Sequence, residues 1–275
     1  MSAPLSDEEQ RAQCETYLLQ AHEVTRHNKA TVAYLRKLHV KSRRKGDVWA
    51  ELSTHNKSKI SGVTGPLIKN AFRRFVLDLQ GNRCCYCRRW LLNIAHAKPI
   101  EHILPRHSYP QFSVNFWNLA VACFDCNQLK LEANWSIFAV PRLDYPAANA
   151  FTDFYHPRFH RYAEHVSYER TENNHVSNVT YMGHTPQGKH LCSEMLYIVA
   201  ARENLYSNNP PLAEAITSIQ QFQDRHSTGE LPALEVFRNS LNKSMLHQLN
   251  DSGVDEAPLK GKLPGGRRSR IRTVR

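Results

Sequence analysis

The sequence predicts an α+β protein organised around the cysteine-rich residues 84–130. Two Cys-x-x-Cys pairs, Cys84/Cys87 and Cys123/Cys126, bracket a medium-length insert. Apolar residues recur at helical spacing before and after this block, and two short runs with strand character follow it. We therefore expect N-terminal helices, a small metal-binding core and a mixed, mainly helical C-terminal region.

The cysteine pairs predict a structural zinc site. Each pair forms a tight knuckle that offers two thiolates, and the insert brings the two knuckles together around a tetrahedral ion. Four thiolates, from Cys84, Cys87, Cys123 and Cys126, leave no open coordination position for substrate, so the predicted zinc holds the fold together. In a reducing compartment such pairs are more often metal sites or redox motifs than structural disulfides. A disulfide or a redox pair is the alternative.

The net charge of +11 is unevenly distributed along the chain. Residues 1–35 carry −2 and residues 90–259 carry −5, whereas residues 36–89 carry +11 and residues 260–275 carry +7. Segregated positive charge is typical of proteins that bind a polyanion, because Lys and Arg release counterions from phosphates. The alternative is a solvated basic surface without a partner.

Membrane insertion and secretion are not expected. The mean hydropathy is −0.55, and no long apolar run is present. The first residues have neither the basic nor the apolar region of a signal peptide. We therefore expect a cytoplasmic protein that does not bind membranes.

Residues 1–65 are predicted to form a helical, basic N-terminal region. Ser6 and Glu9 form a predicted capping box, and apolar spacing over the first forty residues indicates one long helix or two. Residues 61–66 have the composition of a loop. From Pro66 onwards an apolar stripe predicts a helix that leads into the cysteine block.

Residues 136–250 are predicted to contain both strands and helices. Residues 165–169 and 176–181 have strand character, and Thr185 followed by proline predicts a helix start. Three predictions complete the chain: helices over 211–226 and 231–249, and a disordered basic tail over 251–275.

A Glu-His pair lies inside the cysteine bracket. Glu101 can hold a hard cation through oxygen, and His102 can take a proton from water near neutral pH. Asn127 follows the last cysteine and offers a carbonyl oxygen that could complete the cation site. His96 and His107 flank the pair and are weaker alternatives for base or ligand.

These residues resemble the zinc-containing HNH endonucleases. The resemblance covers residues 84–130: Cys-x-x-Cys, then Glu-His-Ile-Leu-Pro, then Asn-Leu-Ala-Val-Ala-Cys-x-x-Cys-Asn-x-x-Lys. It implies a ββα-metal module, a short hairpin, an Ω-like loop and a helix around one catalytic divalent ion, which we place at residues 66–135. A weaker likeness, at His156–Phe159 and Gly183–Gly188, is to bacterial HNH proteins of phage-defence systems.

The resemblance also implies the role of each site residue. His102 would be the general base, Asn118 the residue that braces the loop and orients the base, and Glu101 and Asn127 the ligands of the catalytic ion. Glu101 stands where aspartate is commoner and Asn127 where histidine is, and both replacements keep an oxygen donor, which suits Mg²⁺ or Mn²⁺. Lys130 or Lys98 would add charge stabilisation.

The predicted function is hydrolysis of phosphodiester bonds in DNA. Surface arginines are often only solvated, but six basic residues are candidate nucleic-acid contacts: Arg73, Arg74, Arg83, Arg88, Arg89 and Lys130. The alternative is a non-catalytic zinc-ribbon module that binds nucleic acid. A further interpretation makes the C-terminal half a docking surface for a regulatory partner, such as an ATPase, that licenses the nuclease.

Overall fold

The computed structural model describes residues 3–91, 98–136, 138, 144–174, 176–209, 211 and 218. The helices predicted over 211–226 and 231–249 lie outside the described residues apart from residues 211 and 218, and the predicted tail lies outside them entirely.

Two helices open the chain, as the apolar spacing predicts. Helix α1 (Asp7–Leu19) begins with the predicted capping box, in which the Ser6 hydroxyl accepts from the Glu9 amide and the Glu9 carboxylate accepts from the Ser6 amide. Helix α2 (Thr25–Lys45) ends at Gly46, which has a φ of +89°. The last turn of α2 carries Arg43, Arg44 and Lys45, and their positive charges lie at the negative end of the helix dipole.

The predicted loop at residues 61–66 is more ordered than its composition indicates. Four short elements follow α2: α3 (Trp49–Thr54), β1 (Asn56–Lys57), α4 (Ser58–Ser61) and β2 (Val63–Thr64), which pairs antiparallel with β1. Helix α5 (Gly65–Leu79) then begins one residue before Pro66. A Cβ atom at Gly65 would collide with the carbonyl oxygen of Leu52, so tertiary packing requires glycine there.

The central segment runs strand, loop, strand, helix. Strand β3 (Ile100–His102) pairs antiparallel with β4 (Leu119–Val121), and Glu101 lies opposite Ala120. Helix α6 (Phe124–Lys130) follows directly. The loop between the strands contains 3₁₀ turns at Pro110–Phe112 and Phe116–Asn118.

The two strands predicted in the C-terminal region are confirmed, and they form a hairpin. The elements in order are α7 (Tyr162–His165), β5 (Val166–Glu172), β6 (Ser177–Gly183), α8 (Pro186–Leu191), a π-helical turn (Cys192–Leu196) and α9 (Tyr197–Asn208). Strands β5 and β6 are antiparallel, and Thr185 caps α8 as predicted, because its hydroxyl accepts from the Gly188 amide.

One large apolar core joins the N-terminal, central and C-terminal parts of the described chain. It includes Tyr17 of α1, Phe72 of α5, Val121 of β4 and Val199 of α9. Mixed helices and small sheets confirm the α+β class. Among the described helices, none combines the length and the apolar character needed to cross a membrane.

Candidate functional site

Four cysteine side chains from two separate segments, the turn at residues 84–87 and the start of α6, meet in the core: Cys84, Cys87, Cys123 and Cys126. Their Sγ atoms all lie within 4.8 Å of one another, and those of Cys87 and Cys123 are 3.8 Å apart. Tetrahedral coordination with Zn–S bonds of about 2.3 Å places neighbouring sulfur atoms about 3.8 Å apart. The four residues therefore fit a structural metal ion such as zinc, as predicted.

The local backbone favours thiolates at two members of this cluster, Cys84 and Cys123. The Cys123 amide donates to Cys84 Sγ at 3.2 Å, and the Cys126 amide donates to Cys123 Sγ at 3.4 Å. Cys123 is the N-cap of α6, where the helix dipole stabilises negative charge. Backbone amides thus stabilise negative charge on the sulfur atoms of Cys84 and Cys123.

The C-terminal region contacts the first knuckle directly. The Tyr181 hydroxyl donates to the carbonyl oxygen of Cys87 at 2.8 Å. Arg89 donates to Asp125 of the second knuckle and to Glu203 of α9. Residues far along the chain therefore contact the first knuckle, and Arg89 joins that knuckle to the second.

Glu101 is buried and already neutralised within the protein. Its side chain is 4% exposed, and Lys130 Nζ lies 2.7 Å from Oε1. The Tyr86 hydroxyl donates to the same oxygen at 3.3 Å, and Lys130 also donates to the carbonyl oxygen of His102 at 3.0 Å. Burial raises the pKa of the Glu101 carboxyl above its ordinary value, while Lys130 and Tyr86 oppose that shift.

In the described part of the chain the side-chain partners of Glu101 are Lys130 and Tyr86, and neither supplies a second anionic oxygen for a divalent cation. Carboxylate and amide oxygens are ligands of Mg²⁺ and Mn²⁺, and Asn127 is half-buried on α6. Asn127 and Lys130 are three residues apart on this helix, so they share one face. A cation that binds Glu101 there must meet or displace the ammonium group of Lys130.

His102 ends β3 and is held by the loop that follows. Its Nε2 lies 3.0 Å from the carbonyl oxygen of Ser113, which can only accept, so Nε2 carries the hydrogen and Nδ1 keeps its lone pair. Burial lowers the pKa of His102 to about 3, so the ring is neutral at pH 7. His107 is exposed, and His96 lies outside the described residues.

Asn118 closes the loop between β3 and β4. Its Nδ2 donates to the carbonyl oxygens of Leu104 at 3.0 Å and Phe112 at 3.1 Å, and its Oδ1 accepts from the Leu104 amide at 2.7 Å. The side chain is fully buried. Asn118 therefore joins the start of this loop, at Leu104, to its middle, at Phe112. The next residue, Ser113, is the one that contacts His102.

A chain of hydrogen bonds from the His156–Phe159 segment supports Asn118. The Arg158 amide donates to His156 Nδ1 at 3.3 Å, so His156 Nε2 carries the hydrogen and donates to the Tyr145 hydroxyl at 2.8 Å. Tyr145 then donates to Asn118 Oδ1 at 3.2 Å. The Arg158 guanidinium also donates to the Leu119 carbonyl oxygen of β4 at 3.1 Å.

Sequence reasoning assigned no site role to Tyr86, Tyr145, His156 or Arg158. Tyr86 lies between Cys84 and Cys87, and the other three lie beyond the cysteine block. The weak likeness at His156–Phe159 was the available signal, and it indicated a family segment without showing its contact with Asn118.

The predicted nucleic-acid contacts on the first knuckle are engaged within the protein. Arg83 stacks over the Trp90 ring at 3.7 Å, and Arg88 lies over the Tyr162 ring at 5.4 Å. Arg89 forms the ion pairs described above. These three arginines therefore contact other side chains of the protein around the first knuckle.

The remaining predicted contacts are more varied. Lys130 is 1% exposed and does not reach the surface. On α5, Arg73 donates to the Lys98 carbonyl oxygen at 2.7 Å, and Arg74 lies 3.7 Å from Glu23 with more than half of its side chain exposed.

Part of the basic N-terminal region lies beside His102. The Trp49 ring packs edge-on against the His102 ring with centroids 4.6 Å apart, and Lys69 Nζ lies 4.0 Å from the Trp49 ring centroid. Arg106 pairs with Asp47 at 2.7 Å across the same boundary. Lys69, from the start of α5, therefore places one positive charge on this side of His102, whereas Arg106 is paired with Asp47.

A segment of 65 residues is 37% identical to the Septu protein PtuB of Bacillus thuringiensis. The match covers 24% of this chain and 24% of PtuB, so the chain spans about a quarter of the relative's length in this comparison. No protein-family model matches the chain, and no solved structure matches it significantly.

Proposed function

We propose that the protein is a metal-dependent HNH endonuclease that hydrolyses phosphodiester bonds in DNA. The observation that carries the proposal is the arrangement of β3, a braced loop, β4 and α6 around a four-cysteine cluster, with His102 at the end of β3. A hairpin, an Ω-like loop and a helix are also the order of the ββα-metal module that the sequence resembles. The bracing amide of Asn118 adds to this support.

His102 is the proposed general base. Its neutral ring and the free lone pair on Nδ1 suit removal of a proton from the attacking water. A phosphate anion beside the ring favours the protonated form, and so raises the pKa of His102 towards the range in which a base works well.

Glu101 and Asn127 are the proposed ligands of a catalytic Mg²⁺ or Mn²⁺. When bound, this ion would neutralise the scissile phosphate and the departing 3′ oxygen. Asn118 would keep the loop in place, so that Ser113 holds the His102 ring in one tautomer and orientation. The four-thiolate zinc would have a structural duty only.

DNA is proposed to approach from the side of the basic N-terminal region. The last turn of α2 carries the exposed Arg43, Arg44 and Lys45, and Lys69 packs over Trp49 next to His102. Basic side chains beside a hydrolytic site attract the phosphate backbone without reading its sequence.

The match to PtuB supports a place in bacterial phage defence. We propose that this cytoplasmic nuclease is the effector of such a system, and that a regulatory partner such as an ATPase licenses cleavage. An unregulated nuclease would damage the genome of its own cell, so a licensing partner is physically reasonable. The partial match and the weaker likeness at His156–Phe159 are the support for this role.

A plasmid-nicking assay with Mg²⁺ and Mn²⁺ tests the nuclease proposal. Wild type should convert supercoiled plasmid to nicked or linear forms, whereas His102→Ala should lose cleavage and keep its zinc content. His107→Ala is the matched control, because His107 is exposed and lies five residues away in the same segment. Wild-type protein that leaves duplex and single-stranded DNA intact, with its partner included, would refute the proposal.

A non-catalytic zinc-ribbon module is the second candidate function. The observation that favours it is the Lys130–Glu101 ion pair, which already neutralises the carboxylate without a metal ion. In that case, wild type and His102→Ala would both retain DNA in a binding assay, and neither would cleave it.

A further inference from the structure

Helix α2 is basic along its whole length. Its 21 residues contain eight Lys and Arg residues and neither Asp nor Glu. Four of these basic side chains are exposed and form no ion pair with another described residue: Lys29, Arg36, Lys37 and Arg44. We call these four residues the α2 row.

The α2 row lies along one face of the helix. Lys29 and Arg36 are seven residues apart, and so are Lys37 and Arg44, which is a spacing of about two turns. The buried Leu38 lies on the side that packs on the protein. At a rise of about 1.5 Å per residue the row is about 22 Å long. It therefore matches about six or seven base pairs of a duplex, which are about 3.4 Å apart.

Acidic side chains next to α2 pair with other cations of this helix. Lys41 pairs with Glu51, and Arg43 pairs with Asp144 at 2.7 Å. The α2 row has no such compensation among the described residues, and uncompensated like charges on one helix repel one another and lower its stability. The row is therefore complementary to an external polyanion and gives the folded protein no internal ion pair.

The C-terminal end of α2 leads to the loop that holds His102. A Cβ atom at Gly46, which ends the helix, would lie 3.4 Å from Pro110 of that loop. Two residues later, the Val48 amide donates to Ser113 Oγ at 3.1 Å, and the Ser113 carbonyl oxygen is the one that lies 3.0 Å from His102 Nε2. A polyanion bound along the row therefore continues towards the proposed base.

We propose that the α2 row binds the phosphate backbone of duplex DNA and places the duplex beside the His102 loop. This inference rests on the proposed function for the choice of DNA as the polyanion. A straight row on a rigid helix suits a rigid duplex. Single strands are held largely by stacking of bases on aromatic side chains, and the exposed residues of α2 include no aromatic residue. Contacts to phosphates carry no sequence information, so this binding is independent of sequence.

Removal of charge from the α2 row should weaken duplex binding. In the full-length, zinc-loaded protein, Arg36→Gln combined with Lys37→Gln and Arg44→Gln should raise the Kd for a short duplex by at least about tenfold at physiological salt. Fluorescence anisotropy without added Mg²⁺ or Mn²⁺ measures binding apart from cleavage. The slope of log affinity against log salt should fall by up to about 2.7, because each lost phosphate contact removes about 0.9. A single strand of the same length should lose less affinity.

A matched variant controls for the loss of net charge. It removes three charges from exposed positions on α1, α8 and α9 and should bind the duplex nearly as wild type does: Arg11→Gln, Lys189→Gln and Arg202→Gln. A second measurement uses unaltered protein. Duplex DNA should protect Lys29 and Lys37 from acylation by an amine-reactive reagent, mapped by mass spectrometry, whereas Lys189 should be labelled equally with and without DNA.

The outcomes separate this inference from the proposed function. Wild type that cleaves DNA, with unchanged duplex binding in the α2-row variant, overturns the inference alone and favours an acidic protein surface as the partner of the row. An equal loss in the control variant, or a larger loss for the single strand than for the duplex, also overturns it. Duplex binding that depends on the row, in a protein that cleaves no DNA, supports the inference and refutes the proposed nuclease.

Discussion

The Arg89 guanidinium lies 2.7 Å from the Glu203 carboxylate and so joins the first cysteine knuckle to helix α9. Arg89 also pairs with Asp125 in the second knuckle, and Glu203 also pairs with Arg170 of β5 at 2.7 Å. Glu203 is therefore the shared counterion of two arginines, with only 18% of its side chain exposed. The C-terminal elements act as a scaffold for the cluster.

We expect Glu203→Gln to destabilise the protein and to speed metal loss. Removing the charge shared by two partly buried arginines should lower the free energy of unfolding by about 1–2 kcal/mol, between the effects of surface and buried ion pairs. Urea denaturation and the rate of zinc transfer to a chelator measure the two effects. Glu169→Gln, at an exposed position on β5, is the control. Equal zinc-transfer rates in the two variants would contradict the scaffold role.

Loss of one thiolate should release the metal ion. Cys123→Ser keeps a side-chain oxygen at the N-cap of α6 but removes a ligand, so zinc content should fall well below that of wild type and the fold should loosen. Elemental analysis and near-ultraviolet circular dichroism measure these effects. Cys14→Ser is the control, because Cys14 lies outside the cluster. Zinc content that stays at the wild-type value in Cys123→Ser would rule out the assigned ligand set.

Asn118 should be more sensitive to substitution than exposed asparagines. Asn118→Ala leaves the Leu104 amide and the carbonyl oxygens of Leu104 and Phe112 without their side-chain partner, at a cost of about 1–3 kcal/mol per buried group. Denaturant unfolding should show a large loss, and any cleavage activity should fall with it. Asn149→Ala, at an exposed position, should change neither. A stable and fully active Asn118→Ala variant would show that the brace is dispensable.

His160 should make the protein sensitive to acid. Burial, and then the charge of His165, lower the pKa of His160 from its ordinary 6.5 to about 4. Above pH 6.5 the ring is neutral in both states and has no effect. Below pH 6.5 His160 binds a proton in the unfolded chain but stays neutral in the folded protein, so the free energy of unfolding falls as the pH approaches 4.

The expected size of this effect at pH 5 is about 2 kcal/mol relative to pH 7. His160→Asn can still accept the hydrogen bond that the His156 amide donates to His160 Nδ1, yet it does not titrate. Urea denaturation at pH 7 and pH 5 should therefore show a smaller loss in His160→Asn than in wild type. Equal losses would assign the acid sensitivity to other groups.

Local patterns were sufficient to predict several elements. The capping box at Ser6, the helix that begins at Gly65, the β5–β6 hairpin and the cap at Thr185 depend on residues close together in the chain. The spacing of the four cysteines likewise predicts their cluster, because each knuckle is a local turn. The ordered segment at residues 61–66 was missed, since its conformation depends on packing against Leu52.

The amino-acid sequence thus determined which four cysteines can hold a metal ion, because residue type and short spacing encode that cluster, whereas the proton-transfer role of His102 stays a prediction. Only the tertiary structure decided which distant side chains contact the residues of the candidate site and of the cysteine knuckles. Lys130 contacts the His102 backbone across 28 positions, Tyr145 contacts Asn118 across 27, and Arg89 contacts Glu203 across 114. Such contacts arise when the shared core brings distant segments together. Burial strengthens each of these hydrogen bonds and ion pairs, and it makes an unpaired polar group costly.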